Sequence, residues 1–203
     1  APYNKGPVFS ETKAKETFQP LTEYMGITKG MTIADVGAGS GALTVIMATQ
    51  LDSCTVYIQD IDRTILQEKN VARIIGYYNR EFTYNPGNIY RIIYGGPTSS
   101  NLPDAAIDVI YMNAVVHVFD SPDLMMSDLK GKLKTGGRIY IRDGFRGFNG
   151  EGEYCSSSKC GSRLLSVEEL QELMKRNGYR MIGHDPDMDG YPLFGFAPDK
   201  ESD

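Results

Sequence analysis

The run Asp35-Val36-Gly37-Ala38-Gly39-Ser40-Gly41 constrains this chain more than any other stretch. It follows the apolar segment Thr32 to Val36 and precedes residues with helical spacing, so a strand, a glycine turn and a helix start arrive together. Glycine permits a positive φ and close approach to a ligand, and a helix N-terminus leaves N–H groups without intrahelical partners. The expectation is a cradle for a nucleotide-like ligand, with the N–H groups of the helix start pointing outward. A second acid, Asp60, stands at the end of the next strand-like run, where a carboxylate can accept from both ribose hydroxyls of an adenosine. Asp35 narrows the choice further. A carboxylate just before the loop repels a pyrophosphate, so a ligand with a positive end fits better than a dinucleotide. On residues alone, NAD and a purely structural βα turn stay open as alternatives.

Hydrophobic periodicity places the rest. Residues 1 to 8 read as an irregular arm, and Ser10 to Tyr24 as a cap helix beside the ligand site. After the loop, Leu43, Ile46, Met47 and Leu51 fall on one helical stripe, followed by a strand from Thr55 to Gln59. A long helix comes next, with Val71, Ile74, Ile75 and Tyr78 on one face, then strands over Ile89 to Tyr94 and Asp108 to Met112. Ser121-Pro122 opens a helix carrying Met125, Leu129 and Leu133, which Gly136-Gly137 is expected to stop before a strand from Arg138 to Arg142. Ser166-Val167-Glu168-Glu169 is a capping box for a helix ending at Asn177-Gly178. Arg180 to His184 and Leu193 to Ala197 close the chain as a strand pair around a turn over residues 185 to 190. Strands alternating with helices imply an α/β fold: a doubly wound, mostly parallel seven-stranded sheet with helices on both faces and a C-terminal antiparallel hairpin. Ligands of such sheets bind at the strands' carboxyl ends, where Asp35, Gly37, Asp60, Gly96 and Asn113 fall.

With 203 residues, 41% of them hydrophobic, the chain can bury one sizeable core and is expected to be one globular unit, residues 1–30 forming the arm and cap helix and 31–198 the main domain. A net charge of −5 argues against tracking a nucleic-acid backbone, so a small-molecule partner is expected. No apolar run approaches the roughly 20 residues that span a bilayer. A cytoplasmic location is favoured. The start at Ala1 and the pair Cys155 and Cys160, able to close a short disulfide in an oxidising compartment, keep a processed periplasmic or secreted form open. Cys54, ahead of an apolar strand, is expected to be buried.

The Asp35 to Gly41 run closely resembles the first motif of the class I S-adenosylmethionine-dependent methyltransferases, whose cofactor carries a sulfonium and an ammonium where a dinucleotide carries phosphates. The likeness extends from about Met31 to Ala197: Val56-Tyr57-Ile58-Gln59-Asp60 is similar to the second motif, and Leu102-Pro103 with Ile107-Asp108-Val109-Ile110 to the approach to the fourth strand. Leu133-Lys134-Thr135-Gly136-Gly137 is similar to the stretch before the fifth, and Leu164 to Tyr179 to the penultimate helix. The resemblance implies S-adenosylmethionine as cofactor, S-adenosylhomocysteine as product, and Asp35, Gly37, Ala38, Gly39, Ser40, Gly41, Asp60, Ile61, Gly96, Pro97 and Asn113 as its contacts. One departure matters. Many members place an acid after the third strand for the adenine amino group, and here Gly95-Gly96-Pro97-Thr98 stands there, so backbone groups near Gly96 or the Thr98 hydroxyl are the expected substitutes.

The implied activity is methyl transfer to an oxygen or nitrogen of a small-molecule acceptor; an NAD(P)-dependent oxidoreductase and a binding protein without turnover are the alternatives. His117, near the active edge, is the candidate base, with a packed core histidine as the other reading. No metal is expected: Asn113 and Asp143-Gly144 replace the acids that metal-dependent members use, and Asp185, Asp187 and Asp189 lack the closing Glu of a calcium loop. The segment Asp143 to Arg163, with Phe145, Phe148, Tyr154, Arg142, Arg146 and Arg163, is expected to close the acceptor pocket together with the cap helix.

Overall fold

A computed structural model describes residues 8–147, 154 and 160–199. Its strands are β1 (Thr32–Val36), β2 (Thr55–Asp60), β3 (Ile89–Tyr94), β4 (Ile107–Asn113), β5 (Leu133–Arg142), β6 (Tyr179–Met188) and β7 (Tyr191–Pro198). They form one sheet in the order β3-β2-β1-β4-β5-β7-β6. The β1–β2, β2–β3, β1–β4 and β4–β5 pairs are parallel, and the β5–β7 and β6–β7 pairs antiparallel. This is the expected doubly wound sheet with its C-terminal hairpin. Strand order reverses at β1, between β2 and β4, and the crevice above those strand ends is where ligands of open α/β sheets bind.

Side chains alternate across each strand, which divides the core in two. Ile33, Val56, Ile58 and Tyr111 face α1 (Glu11–Tyr24), α2 (Ala42–Ala48) and α3 (Glu68–Glu81). Ala34, Val36, Ile110 and Met112 face α4 (Pro122–Lys132) and α5 (Val167–Arg176). Local signals fix several helix starts. Ser10 accepts from Lys13 N at 3.2 Å to begin α1, and Ser166 and Glu169 exchange hydrogen bonds of 3.2 and 2.7 Å in the capping box of α5. Cys54 is fully buried beneath β2, as expected.

Three boundaries differ from the sequence reading. Leu133 is not in α4 and Gly136-Gly137 does not separate helix from strand: β5 begins at Leu133, opposite Ile107. Gly137 is needed for that close return, since a Cβ on it would lie 2.9 Å from the Ile107 carbonyl oxygen. The final hairpin turns on Asp189-Gly190 alone, both at positive φ, a two-residue turn whose twist suits antiparallel strands, so β6 runs through Asp185 and Asp187 to Met188. Finally, α2 stops at Ala48, which leaves Leu51 beyond it, and Leu43 is not on its buried face but 41% exposed.

Candidate functional site

Ahead of the helix start, the loop turns the amides of Gly37, Ala38, Gly39 and Gly41 inward. Gly37 N and Ala38 N both donate to the Gln59 carbonyl at 2.9 Å, Gly39 N donates to Asp60 Oδ2 at 2.7 Å, and Gly41 N to the Ala38 carbonyl at 3.0 Å. The end of β2 is close enough to claim these donors, which removes them from any ligand's phosphate. Two of the glycines are there for contact. A Cβ on Gly37, at φ +77°, would sit 2.2 Å from Val115 Cγ2, and one on Gly41 would sit 2.9 Å from Ile58 Cγ2. Gly39 differs: no heavy atom lies within 4 Å of the position its Cβ would take, so it faces open space. Ser40 is half-buried in the same turn.

Two cavities meet at Gly37. The first lies beneath α1 and is walled by Phe9, Thr17 and Phe18 on one side and by Asp35, Ala38, Asn113 and Arg142 on the other. Asp35 is 5% exposed, and burial pushes its carboxyl up to about 6 against the opposing hydrogen bond from Thr44, with the nearby Asp60 adding to the rise. Its Oδ2 accepts from Thr44 Oγ1 at 2.5 Å; its Oδ1 is buried with no partner. The Thr17 hydroxyl, on α1, is likewise buried without one. Arg142, at the end of β5, donates from Nε to the Met188 carbonyl (2.9 Å), from Nη2 to the Asp189 carbonyl (2.7 Å) and from Nη1 to Asn113 Oδ1 (3.0 Å). It thereby ties the β6–β7 turn to the end of β4. Tyr111 also donates to Asn113 Oδ1, at 3.3 Å.

The second cavity opens over β2 and β3. Gln59, Asp60, Ile61, Gly96 and Pro97 form one wall, and Ala114, Val115, Val118, Phe119 and Asp120 the other. Asp60 is fixed by backbone amides, Gly39 N on Oδ2 and Asp62 N on Oδ1 at 2.8 Å. Gln59 accepts from Gly37 N at 3.2 Å, while its Nε2 is buried without a partner; a Cβ on Gly95 would lie 2.1 Å from that nitrogen. Ile61 and Val118 leave apolar surface exposed at the mouth.

Of the sequence-derived set, Asp35, Gly37, Ala38 and Asn113 line the first cavity, and Gly37, Asp60, Ile61, Gly96 and Pro97 the second. Gly39, Ser40 and Gly41 shape the loop between them. His117 lines neither. On the 3-10 turn Val116–Val118 its ring is packed away with Nδ1 2.7 Å from Asp143 Oδ1, and that hydrogen bond lifts its pKa above the ordinary 6.5 against the opposing effect of burial. Sequence reasoning did not find Thr17, Thr44, Gln59, Tyr111 or Asp120; Gln59 alone carried a signal, standing directly before Asp60.

The described residues of the segment Asp143 to Arg163 take a different place from the one expected. Phe145 is core, edge-on to Phe194 at 5.4 Å, while Arg146 and Arg163 each ion-pair with Glu169. None of its described residues lines either cavity. Phe148 and Cys155, and hence the disulfide expectation, lie outside the described residues. Among the described residues no three His, Cys, Asp or Glu side chains are grouped to hold a metal. No described helix is long and apolar enough to cross a membrane.

A family model for a methyltransferase domain matches residues 34–141, from β1 into β5. Malonyl-[acyl-carrier protein] O-methyltransferase of Xylella fastidiosa is 27% identical over 117 residues, covering 58% of this chain and 36% of that protein, so the chain spans about a third of that relative's length. Among solved structures, a chain from the complex between a Haloferax volcanii methyltransferase activator and a methyltransferase aligns with a TM-score of 0.66 at 14% identity, over 93% of this chain and 92% of that one. Burkholderia thailandensis 1,6-didemethyltoxoflavin-N1-methyltransferase, solved with 1,6-didemethyltoxoflavin and S-adenosylhomocysteine bound, aligns with a TM-score of 0.63 at 16% identity, over 92% and 78%. At these identities the solved structures establish likeness of fold.

Proposed function

The chain belongs to the methyltransferase-domain family of class I, S-adenosylmethionine-dependent enzymes, and from that premise we propose that it binds S-adenosylmethionine across the two cavities at Gly37 and methylates a small molecule lodged beneath α1. One observation carries the cofactor reading. Gly37, Ala38 and Gly39 give their amides to β2, while the buried Asp35 Oδ1 has no partner among the described residues, so the site holds an acid in need of a cation beside the loop where a pyrophosphate would lie. A sulfonium or ammonium answers that need, and a dinucleotide does not.

The residues present fit the whole cofactor. Asp35 and Asn113 stand at its amino-acid end, and the carboxylate of Asp60, already oriented by two amides, accepts from the ribose hydroxyls. Ile61 and Val118 flank the adenine, with Gln59 Nε2 and Asp120 supplying polar contacts in place of the missing acid. Gly37 and Gly39 let the backbone pass close. When bound, the cofactor supplies an electrophilic methyl with its leaving group attached, so alignment of the acceptor is the main task left to the protein. Phe9 and Phe18 shield that space from water. The base assigned to His117 is not carried into this reading, since its ring is turned to Asp143. With Val116 N also donating to Asp143, at 3.1 Å, the pair braces the turn that walls the second cavity.

Titration calorimetry tests the proposal: S-adenosylmethionine and S-adenosylhomocysteine should bind and NAD and NADP should not. A dinucleotide that raises the melting temperature while S-adenosylmethionine leaves it unmoved overturns the cofactor reading. Release of S-adenosylhomocysteine in the presence of an acceptor separates an enzyme from a binding protein.

A further inference from the structure

Asn113 reports on the acceptor, because its orientation is settled by its neighbours. Arginine can only donate, so the Asn113 atom 3.0 Å from Arg142 Nη1 is the amide oxygen, and the Tyr111 hydroxyl donates to the same atom. Tyr111 stays a phenol, since burial holds its pKa far above the ordinary value. The oxygen is thus occupied, and the Asn113 NH2 group, with no partner among the described residues, is what the residue offers the first cavity. Arg142 keeps one N–H on each terminal nitrogen after its three hydrogen bonds. The Thr17 hydroxyl, buried in the opposite wall, has no partner among the described residues. A buried polar atom left unpaired in the free protein marks a place where a ligand atom belongs. Three groups able to donate therefore face one space, bounded on its apolar side by Phe9, Phe18 and Leu43.

We infer, resting on the methyltransferase reading above, that the acceptor is a small carboxylate with an apolar body, held by Arg142, Thr17 and one N–H of Asn113, whose other N–H serves the cofactor's amino-acid end, and methylated without a protein base. An amine would need the Asn113 oxygen that Arg142 and Tyr111 occupy, and an alcohol or phenol would need a proton acceptor. Among the described residues no His, Lys or Cys lines this cavity; Asp35 serves the cofactor, and the Asp189 carboxylate lies 3.8 Å from Arg142. A carboxylate needs neither. One of its oxygens forms the bond to the methyl carbon as the carbon–sulfur bond breaks, and the sulfur retains that electron pair. Sulfonium and carboxylate become thioether and methyl ester, with no proton transferred. The guanidinium holds the oxygen that does not react.

Calorimetry on protein saturated with S-adenosylhomocysteine tests this with acetate, hexanoate, decanoate, benzoate and phenylacetate, each beside its amide, alcohol and amine. At least one carboxylate should bind and its neutral and cationic counterparts should not. Arg142→Gln and Thr17→Val should each weaken that binding by about tenfold or more, and Thr17→Val should leave affinity for S-adenosylhomocysteine unchanged. Thr17→Val should also keep or raise the melting temperature, which separates a ligand contact from a folding role. In turnover, labelled methyl transferred from S-adenosylmethionine should become volatile as methanol after mild alkali, as an ester requires. The inference is overturned by label that survives alkali, by preference for the amine or alcohol, by failure of every carboxylate to bind, or by loss of S-adenosylhomocysteine affinity in Thr17→Val. That last result would show that the donors serve the cofactor's own carboxylate. Failure of S-adenosylhomocysteine to bind the unaltered protein would instead overturn the cofactor reading itself.

Discussion

The two cavities that share Gly37 are built by opposite means. The one over β2 and β3 draws on residues at or just beyond strand ends, and its acid, Asp60, already has a backbone amide on each oxygen. The one beneath α1 gathers Thr17, Asp35, Asn113, Arg142 and Asp189 from five separate segments and keeps two buried polar atoms unpaired. An acid satisfied in the free protein costs the fold little, and the only orphan this cavity shows among the described residues is the neutral Gln59 Nε2. A site with orphaned groups holds the fold at a cost that only a ligand removes, and the location of that cost indicates what the ligand must offer.

Substituting the shared wall sets the two cavities apart most strongly. Gly37→Ala should destabilise the protein by roughly 3 kcal/mol or more, because its Cβ meets Val115 at a φ unsuited to side chains. Gly39→Ala, facing open space, should cost only about 1–2 kcal/mol of stability from its own positive φ while weakening cofactor binding. Denaturant midpoints and calorimetry check both, and wild-type stability in Gly37→Ala would break the idea of a common wall.

Asp35→Asn should then relieve the cost carried by the first cavity. A carboxyl raised in the folded state incurs no penalty below its ordinary 3.8, a growing one between 3.8 and about 6, and the full one above. The variant should therefore gain up to about 3 kcal/mol over the wild type in the ligand-free protein above pH 6, and nothing near pH 3. By the same linkage, affinity of the unaltered protein for S-adenosylmethionine should fall as pH drops below about 6. A stability difference independent of pH would show that Asp35 is not the stressed acid.

In the second cavity no comparable stability gain is expected. Asp60→Ala should weaken cofactor binding by roughly 1.5–3 kcal/mol through lost charge-assisted hydrogen bonds, and unchanged affinity would remove the ribose assignment. The smallest effect belongs to the brace behind that cavity. His117 has a raised folded pKa, so its pairing with Asp143 contributes fully below about 6.5 and is lost as pH rises through the folded value. His117→Asn should accordingly cost more stability at pH 6 than at pH 9, in thermal melts at the two values, with turnover of cofactor-saturated enzyme little changed.

The order of strands and helices, the inward face of α3, the cap at Ser166, and the convergence of Asp35, Gly37, Asp60, Gly96 and Asn113 on one sheet edge were determined by the sequence itself. Periodicity, capping and the glycine turn are local, and a parallel sheet leaves its strand ends only one edge to occupy. Tertiary structure alone decided that the loop amides bind Gln59 and Asp60 and leave none of these for a ligand, that Asp35 is half-satisfied, that Phe145 belongs to the core, and that Arg142 joins the β6–β7 turn to Asn113. Each of these depends on which distant group reaches a donor or acceptor first, a competition among packed segments that spacing along the chain does not encode.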